Sequence, residues 1–337
     1  MRKPKEPRRL AWPAAALAAA TALAGCSKAV VLNPAGDVAA QQGQLVVTAT
    51  LLMLVIIVPV IALTLFFAWK YRQGNAEAEY DPEWHHSTKL ELVIWSVPLA
   101  IIIILGALTW VTTHKLDPYR PLDRIDASRP VPAGVKPLEV QVVAMDWKWL
   151  FVYPEQGIAL VNELAAPVDR PIHFKLTATS TMNAFYVPDL AGMVYAMPGM
   201  QTELHGVINQ AGVFPGLASH NSGAGFSGMT FKFHGLSDAG FAQWVQKAQA
   251  EGKALDKATY LQLAKPSERD PVQRFARVDA DLYDRVLNRC VEAGQGCMHE
   301  MMAMNDRARA ALPPDQCTPA NAPQTIAALE RQENPHD

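Results

Sequence analysis

Two long uncharged stretches near the start of the chain restrict what it can fold into. Residues 45–69 and residues 92–111 contain no Asp, Glu, Lys or Arg. At about 1.5 Å per residue the first would form a helix of about 37 Å, and the second is close to the minimum length that spans a bilayer. Each contains one proline, which packed transmembrane helices tolerate. We predict a transmembrane helical hairpin within residues 26–114, with helices at about 45–69 and 92–111.

The N-terminus has the organisation of an export signal. Five basic residues precede an Ala-rich apolar core at residues 10–22, which is too short to cross a bilayer. The letters L-A-G-C follow, ending at Cys26, and they resemble the lipobox of bacterial lipoproteins. The resemblance implies that residues 1–25 are a lipoprotein signal peptide and that Cys26 is acylated. The alternative is an ordinary signal sequence with a chance cysteine.

The signal segment also sets the predicted orientation. If Cys26 lies outside the cell, the first helix enters the cytoplasm and the second returns. Residues 70–91 are then cytoplasmic, and everything after His114 is extracytoplasmic. Basic residues flank both sides of the hairpin, so the charge bias alone does not decide the orientation. We expect a lipid-anchored protein of the bacterial inner membrane with its C-terminal domain in the periplasm.

The rest of the chain reads as soluble. The net charge of -2 shows no basic excess, so a nucleic-acid partner is not expected, and four cysteines in 337 residues exclude a disulfide scaffold. From residue 138 onward, short alternating runs are separated by Gly and Pro, which favours an antiparallel β-sandwich over residues 138–236. The predicted strands are residues 138–144, 148–153, 172–178, 183–187, 202–208 and 230–234.

Helical patterns return after the predicted sandwich. They indicate a helical C-terminal extension over residues 237–295, followed by a flexible tail over residues 296–337. The expected helices cover residues 238–249, 258–263 and 281–293. The predicted fold class is therefore membrane α + β, with a helical hairpin, an all-β sandwich and a short helical extension.

Several histidines are candidate metal ligands. His173, His205 and His234 fall on outward positions of predicted strands, which favours solvated side chains over metal ligands. His85 and His86 are adjacent in the cytoplasmic loop, where a metal-binding pair is possible and two solvated side chains are the simpler interpretation.

Three cysteines remain for the outer, oxidising compartment if Cys26 is acylated. Cys290, Cys297 and Cys317 allow at most one intrachain disulfide, and proximity favours Cys290 with Cys297. His299 stands among methionines, so this tail is either a soft-ligand site for Cu(I) or a Met-rich segment without metal. The methionines are Met298, Met301, Met302 and Met304.

Three motifs together carry a family resemblance. They are WKW followed by YPEQGI from Trp147, YAMPGMQT from Tyr195, and GAGFSGM from Gly223. With the lipobox and the hairpin, their order and spacing resemble subunit II of the bo-type ubiquinol oxidases, which are haem-copper respiratory oxidases. The resemblance covers residues 20–290 and implies that the sandwich is cupredoxin-like.

The related cytochrome c oxidases hold two copper ions in this domain, through two histidines, two bridging cysteines, a glutamate and a methionine. When that pattern is laid on this chain, only Met229 is retained. A dinuclear copper centre needs its soft thiolates, so the resemblance implies a periplasmic domain without copper. The replaced positions are Asn183, Ala218, His220, Ser222 and Phe226.

In the resembling family, electrons then come from ubiquinol and not from cytochrome c. The resemblance implies no cofactor in this chain, and haem b, haem o and copper in a partner subunit I, which oxidises ubiquinol and reduces oxygen to water. Subunits III and IV are further implied partners. This chain would stabilise and cover subunit I in a proton-translocating oxidase, without carrying electrons itself.

Glu91 is the implied proton-entry residue. In the family, a glutamate at this position is associated with the entrance of a proton channel in subunit I. A carboxylate at the membrane edge can collect cytoplasmic protons. The alternative is an ordinary interfacial anion beside Lys89.

Two other functions compete with the preferred one. The first is a cytochrome c oxidase subunit with an unusual electron entry, which the missing cysteines disfavour. The second is a membrane-tethered cupredoxin-like binding or assembly lipoprotein. Trp147, Trp149 and Phe151 alternate, and they are interpreted either as a surface that faces subunit I or as core.

Overall fold

Two long helices lead into a β-sandwich in the computed structural model, which describes residues 29–75, 77–79 and 82–310. Helix α1 is Asp37–Lys70 and helix α2 is Thr88–Lys115, and both are long and apolar enough to cross a membrane. They are longer than the predicted 45–69 and 92–111, because helices continue through polar residues beyond the uncharged stretch that marks the bilayer. The signal segment, Cys26, Cys317 and the chain after residue 310 lie outside the described residues.

The start of α1 is anchored in the sandwich. Asp37 is 6% exposed, and its carboxylate accepts two hydrogen bonds from the Arg124 guanidinium, at 2.8 and 3.0 Å. Gly36 forms a β-bridge with Ile208, and a Cβ at Gly36 would lie 2.5 Å from the backbone oxygen of Val207. Helix α1 is therefore joined directly to the sandwich by buried contacts.

Twelve strands form two sheets among the described residues. The seven-stranded sheet has the order β11-β12-β3-β2-β1-β5-β8, and the five-stranded sheet has the order β4-β10-β9-β6-β7. Their bounds are β1 Leu138–Met145, β2 Lys148–Tyr153, β3 Ile158–Val161, β4 Glu163–Pro167, β5 Ile172–Ala178, β6 Asn183–Tyr186, β7 Val194–Ala196, β8 Thr202–Gly206, β9 Gly212–Ala218, β10 Thr230–Leu236, β11 Lys253–Leu255 and β12 Gln273–Val278.

The predicted strands are present with small shifts at their ends, but the sandwich is mixed and not purely antiparallel. Strand β1 pairs in parallel with β5, and β4 pairs in parallel with β10. Strands β3, β4, β7 and β9 were not predicted. The reason is visible in β3 and β4, where every residue is buried, so that no alternation of apolar and polar residues marks the strand.

Aromatic side chains fill the space between the two sheets. Trp149, Phe151 and Phe185 are fully buried, and Phe231 is 4% exposed. The Phe185 and Phe231 rings stack with centroids 5.3 Å apart, and Trp149 packs edge-on against Phe185 at 5.5 Å. The interpretation of Trp149 and Phe151 as a surface for a partner is therefore wrong, because β2 lies in the middle of its sheet and its inward side chains form the core.

The C-terminal extension is part of the sandwich and not a separate helical unit. Strands β11 and β12 join the seven-stranded sheet beside β3, and helices pack a second apolar core on its outer face. The sequence predicted only helices over residues 237–295. Strand β12 was not predicted because Phe275 is its one buried residue, so apolar and polar residues do not alternate along it. The helices are α3 Asp238–Glu251, α4 Lys257–Leu263 and α5 Leu282–Leu287.

Two further boundaries differ from the prediction. Helix α5 ends at Leu287 and does not continue to residue 293, because Arg289 takes a left-handed conformation (φ 55°). The expected flexible tail begins with helix α6, Met298–Ala310, whose exposed methionines include Met302 and Met304.

An ionic cluster ties the two sheets and α3 together. Glu163 of β4 lies 2.9 Å from Nη2 of Arg274 in β12 and 3.4 Å from Nε2 of His234 in β10. Arg274 also reaches Glu251 at the end of α3, at 3.2 Å. Burial alone would raise the pKa of Glu163, but the contacts with His234 and the positive charge of Arg274 outweigh burial, and the net pKa is lowered.

We expect Glu163→Gln to destabilise the protein at neutral pH by about 2 kcal/mol, because the amide loses charged hydrogen bonds. The depressed folded-state pKa makes this contribution fully present above the ordinary value of 4.5 and lost as the pH falls through the folded-state pKa. Urea unfolding of the full chain in detergent, followed by tryptophan fluorescence from pH 7 to pH 3, should show the two proteins converge in acid. The control Glu251→Gln, at an exposed partner of Arg274, should change little; a constant gap between wild type and Glu163→Gln would contradict the assignment.

Candidate functional site

The positions that hold copper in the resembling oxidases come together at one end of the five-stranded sheet. Asn183 begins β6, Ala218 ends β9, and Met229 immediately precedes β10. The Ala218 amide donates to the Met229 carbonyl at 3.0 Å, and Ala218 pairs with Phe185 of β6. The loop of residues 219–228 covers this end, so the spatial arrangement of a cupredoxin ligand loop is present.

The side chains in this arrangement do not fit a dinuclear copper centre. Asn183 donates through Nδ2 to the Thr181 carbonyl at 3.0 Å, and Ala218 offers only a methyl group. The two cysteine positions hold Ala218 and Ser222, so neither bridging thiolate exists, and Met229 supplies the one soft sulfur atom at the six positions. His220 packs edge-on against Tyr195, with ring centroids 6.1 Å apart.

An indole occupies the underside of the loop. Trp147 is half-buried, and its Nε1 donates to the Ser222 carbonyl at 3.1 Å. The ring leaves no room for a side chain at Gly225, where a Cβ would lie 2.6 Å from Trp147 Cδ2. Trp147 therefore contacts this loop through packing and one hydrogen bond.

Glu91 lies in the first turn of α2, at the end of the helix that the sequence predicts to face the cytoplasm. Its carboxylate Oε2 is 3.3 Å from Nε2 of His86, and both side chains are about half exposed. The sequence interpretation treated these residues separately. In the structure Ser87 is the extended residue that precedes α2, and His86 before it reaches Glu91 in the first turn. Nδ1 of the neighbouring His85 lies 2.6 Å from the Glu83 carbonyl oxygen.

The prediction of a solvated side chain is wrong for His205, which is 7% exposed and whose ring stacks on that of His173 with centroids 4.3 Å apart. His173 and His234 are half-buried, and each lies beside a glutamate. The segment after α2 lies against His205, whose amide donates to the Pro118 carbonyl at 3.0 Å, and a local pattern of alternation contains no sign of that contact.

The sulfur atoms of Cys290 and Cys297 are 1.96 Å apart, at the distance of a disulfide bond. This contact closes the turn between α5 and α6. His299 and the methionines around it lie on α6, with Met301, Met302 and Met304 exposed. Among the described residues, the one group of three or more His, Cys, Asp or Glu donors that could share a metal ion lies elsewhere, on β5 and β8.

Comparison with known proteins identifies two matching family models. "Cytochrome C oxidase subunit II, periplasmic domain" matches residues 156–235, and "COX Aromatic Rich Motif" matches residues 249–294. The second match covers β11, α4, β12 and α5, the segment that had been predicted as a helical extension. The solved periplasmic domain of cytochrome oxidase subunit II from Bradyrhizobium japonicum is 24% identical, with a TM-score of 0.33, over 34% of this chain and 94% of that chain.

Full-length relatives are more similar. Cytochrome bo(3) ubiquinol oxidase subunit 2 of Pseudomonas aeruginosa is 48% identical over 285 residues, which are 84% of this chain and 83% of that protein. Ubiquinol oxidase subunit 2 of Acetobacter aceti is 48% identical over 273 residues, which are 80% of this chain and 85% of that protein. With such identity across the membrane helices, the sandwich and the C-terminal extension, the chain belongs to the subunit 2 family of the cytochrome bo(3)-type ubiquinol oxidases.

Proposed function

We propose that this chain is the copper-free subunit II of a proton-translocating terminal oxidase that oxidises ubiquinol and reduces oxygen to water. The observation that carries the proposal is the donor set at the end of the sandwich, where an amide, a methyl group and a hydroxyl stand in place of imidazole and thiolates. Without a redox centre in the sandwich, electrons from a soluble donor have no route through it. Haem b, haem o and copper belong in this proposal to subunit I.

The exposed apolar surfaces of the two helices support a structural role for the chain. Its helices carry large apolar side chains that are exposed along their whole membrane portion, including Leu65, Trp95 and Ile103. Such surfaces are stable against lipid or against other membrane helices. The proposal places subunit I, and further subunits III and IV, against these surfaces, and it assigns no contact with cytochrome c.

The proposed location is the bacterial inner membrane with the sandwich in the periplasm. Two membrane-crossing helices return the chain to the side on which it began, and the L-A-G-C signal places Cys26 outside. Acylation of Cys26 would add a lipid anchor to the hairpin. An oxidising compartment also suits the sulfur–sulfur contact of Cys290 with Cys297.

We expect the complex purified through a tag on this chain to contain b- and o-type haem and to oxidise ubiquinol in a cyanide-sensitive manner. Its copper content should equal that of subunit I alone, with no purple mixed-valence absorption from the sandwich, because both bridging thiolates are missing. Metal analysis and near-infrared spectroscopy measure this. Mass spectrometry of the mature chain in the same sample checks the acylation of Cys26.

Two results from this purification would contradict the proposal. Oxidation of reduced cytochrome c at a rate that matches ubiquinol would indicate electron entry through this chain. The second result has two parts: the tagged chain is recovered alone and without haem, and cells in which the chain is deleted respire normally. It would favour the membrane-tethered binding or assembly lipoprotein instead.

Glu91 is proposed as the collector of cytoplasmic protons for subunit I. It lies in the first turn of α2, and its carboxylate is 3.3 Å from Nε2 of His86, so a carboxylate and an imidazole, both proton-exchanging groups, are in contact. Such a pair can accept a proton from water on one side and release it on the other. The alternative is that the contact only stabilises the first turn of α2, where a negative charge is favourable.

We expect Glu91→Gln to lower oxygen consumption several-fold in the complex, with a larger loss at alkaline pH, where water supplies fewer protons. Oxygen-electrode assays from pH 6 to pH 9, together with proton-pumping measurements in vesicles, test this. The matched control is Glu79→Gln, which removes an exposed carboxylate from the same cytoplasmic loop. Equal turnover and pumping in Glu91→Gln and wild type would contradict the proton role and would leave Glu91 only to stabilise the first turn of α2.

A further inference from the structure

Three metal-ligating side chains meet on the outer face of the seven-stranded sheet, away from the copper loop. His173 of β5 lies directly opposite His205 of β8 in the strand register. Glu203 precedes His205 by two residues and so shares its face of the strand. The ligand atoms of these three side chains all lie within 4.8 Å of one another.

The backbone geometry explains why the two histidines are so close. The His205 amide donates to the Pro118 carbonyl at 3.0 Å and therefore points away from β5. In an antiparallel ladder this makes His173 and His205 a non-hydrogen-bonded pair, the type in which facing side chains approach most closely. The two rings stack at 4.3 Å, and His173 Nε2 lies 3.0 Å from Glu203 Oε2.

The charge of Glu203 is not neutralised by the nearby lysine. Lys175 lies opposite Glu203 in the register, but its ammonium is paired with Glu139, at 3.0 Å. Glu203 therefore has the His173 ring as its main partner. Carboxylate oxygens and imidazole nitrogens are donors that Zn²⁺ accepts in proteins.

Helix α5 packs against β5 and carries an unpartnered polar atom. Tyr283 of α5 is 5% exposed, and its buried hydroxyl has no hydrogen-bond partner among the described residues. Buried hydroxyl groups normally have a partner, so an unsatisfied polar group remains where this helix covers the sheet.

We propose that His173, Glu203 and His205 bind one divalent cation of the Zn²⁺ or Cu²⁺ class. Two imidazole nitrogens and one carboxylate oxygen suit these ions, whereas Mg²⁺ and Ca²⁺ prefer oxygen ligands alone. The stacked rings point their nitrogens side by side, so binding requires the more exposed His173 ring to turn towards the shared ion. The bound ion ties edge strand β8 to β5, next to the segment that follows α2.

We expect the full chain in detergent, freed of metal with a chelator, to bind one equivalent of Zn²⁺ in isothermal titration calorimetry at pH 7. Removing one nitrogen ligand by His173→Gln or His205→Gln should weaken binding about 100-fold, and Glu203→Gln should weaken it about 10-fold. His234→Gln changes a half-buried histidine of the other sheet and should leave the affinity unchanged. His299→Gln is the control for the methionine-rich helix α6, and should also have no effect.

A second readout separates loss of a ligand from loss of folding. His205 is buried, so its variant is judged only if its thermal unfolding matches that of wild type, whereas His173 is more exposed and its variant should fold. Electron paramagnetic resonance of the chain with one equivalent of Cu²⁺ should show two coordinating nitrogens in wild type and one in His173→Gln. The proposal is overturned if wild type binds no Zn²⁺, if His173→Gln binds it equally well, or if only His299→Gln weakens binding.

Discussion

Burial of the seven-stranded sheet on both faces is the constraint on which the rest of the structure depends. Every residue of β2 is buried, because the five-stranded sheet covers one face and the C-terminal extension covers the other. Lys148 is consequently 1% exposed, and its ammonium needs partners that the extension supplies: the Lys265 carbonyl at 2.9 Å, the Ser267 hydroxyl and the Asp270 carboxylate at 3.2 Å. A buried ammonium without such partners would be strongly destabilising.

This two-sided burial also decides which parts of the fold the sequence predicted. Strand β5 was found from the sequence because Ile172, Phe174 and Leu176 face the core while His173 and Lys175 face outward. Strands β3 and β4 have no exposed face and therefore no alternation. The apolar core on the outer face of the seven-stranded sheet was not predicted for a related reason. Phe275 belongs to that core only because β12 pairs with the sheet, and this pairing is not visible in the local sequence. The membrane helices were predicted well, because absence of charge over a bilayer's width is a local property.

The candidate sites also contain some features that the sequence predicts and others that only the structure shows. The copper positions were identified from motif order, and the chemistry of their side chains can be read from the sequence, since no alanine or serine acts as a bridging thiolate. The packing of Trp147 beneath Gly225 was not predictable, because it depends on how the loop folds back over β2. The contact of His86 with Glu91 and the stack of His173 on His205 also required the structure. Opposed residues on two strands become neighbours only when the register is known.

The join between α1 and the sandwich connects these observations to the supporting role. The buried Asp37 carboxylate pairs with the partly exposed Arg124 guanidinium at the point where α1 meets the sandwich. Removal of Arg124 would leave a buried carboxylate without its partner, which costs more than the pair itself contributes. The pair therefore favours one orientation of the sandwich above the bilayer. The proposed supporting role needs such a fixed orientation, because a subunit that covers its partner contributes shape and position.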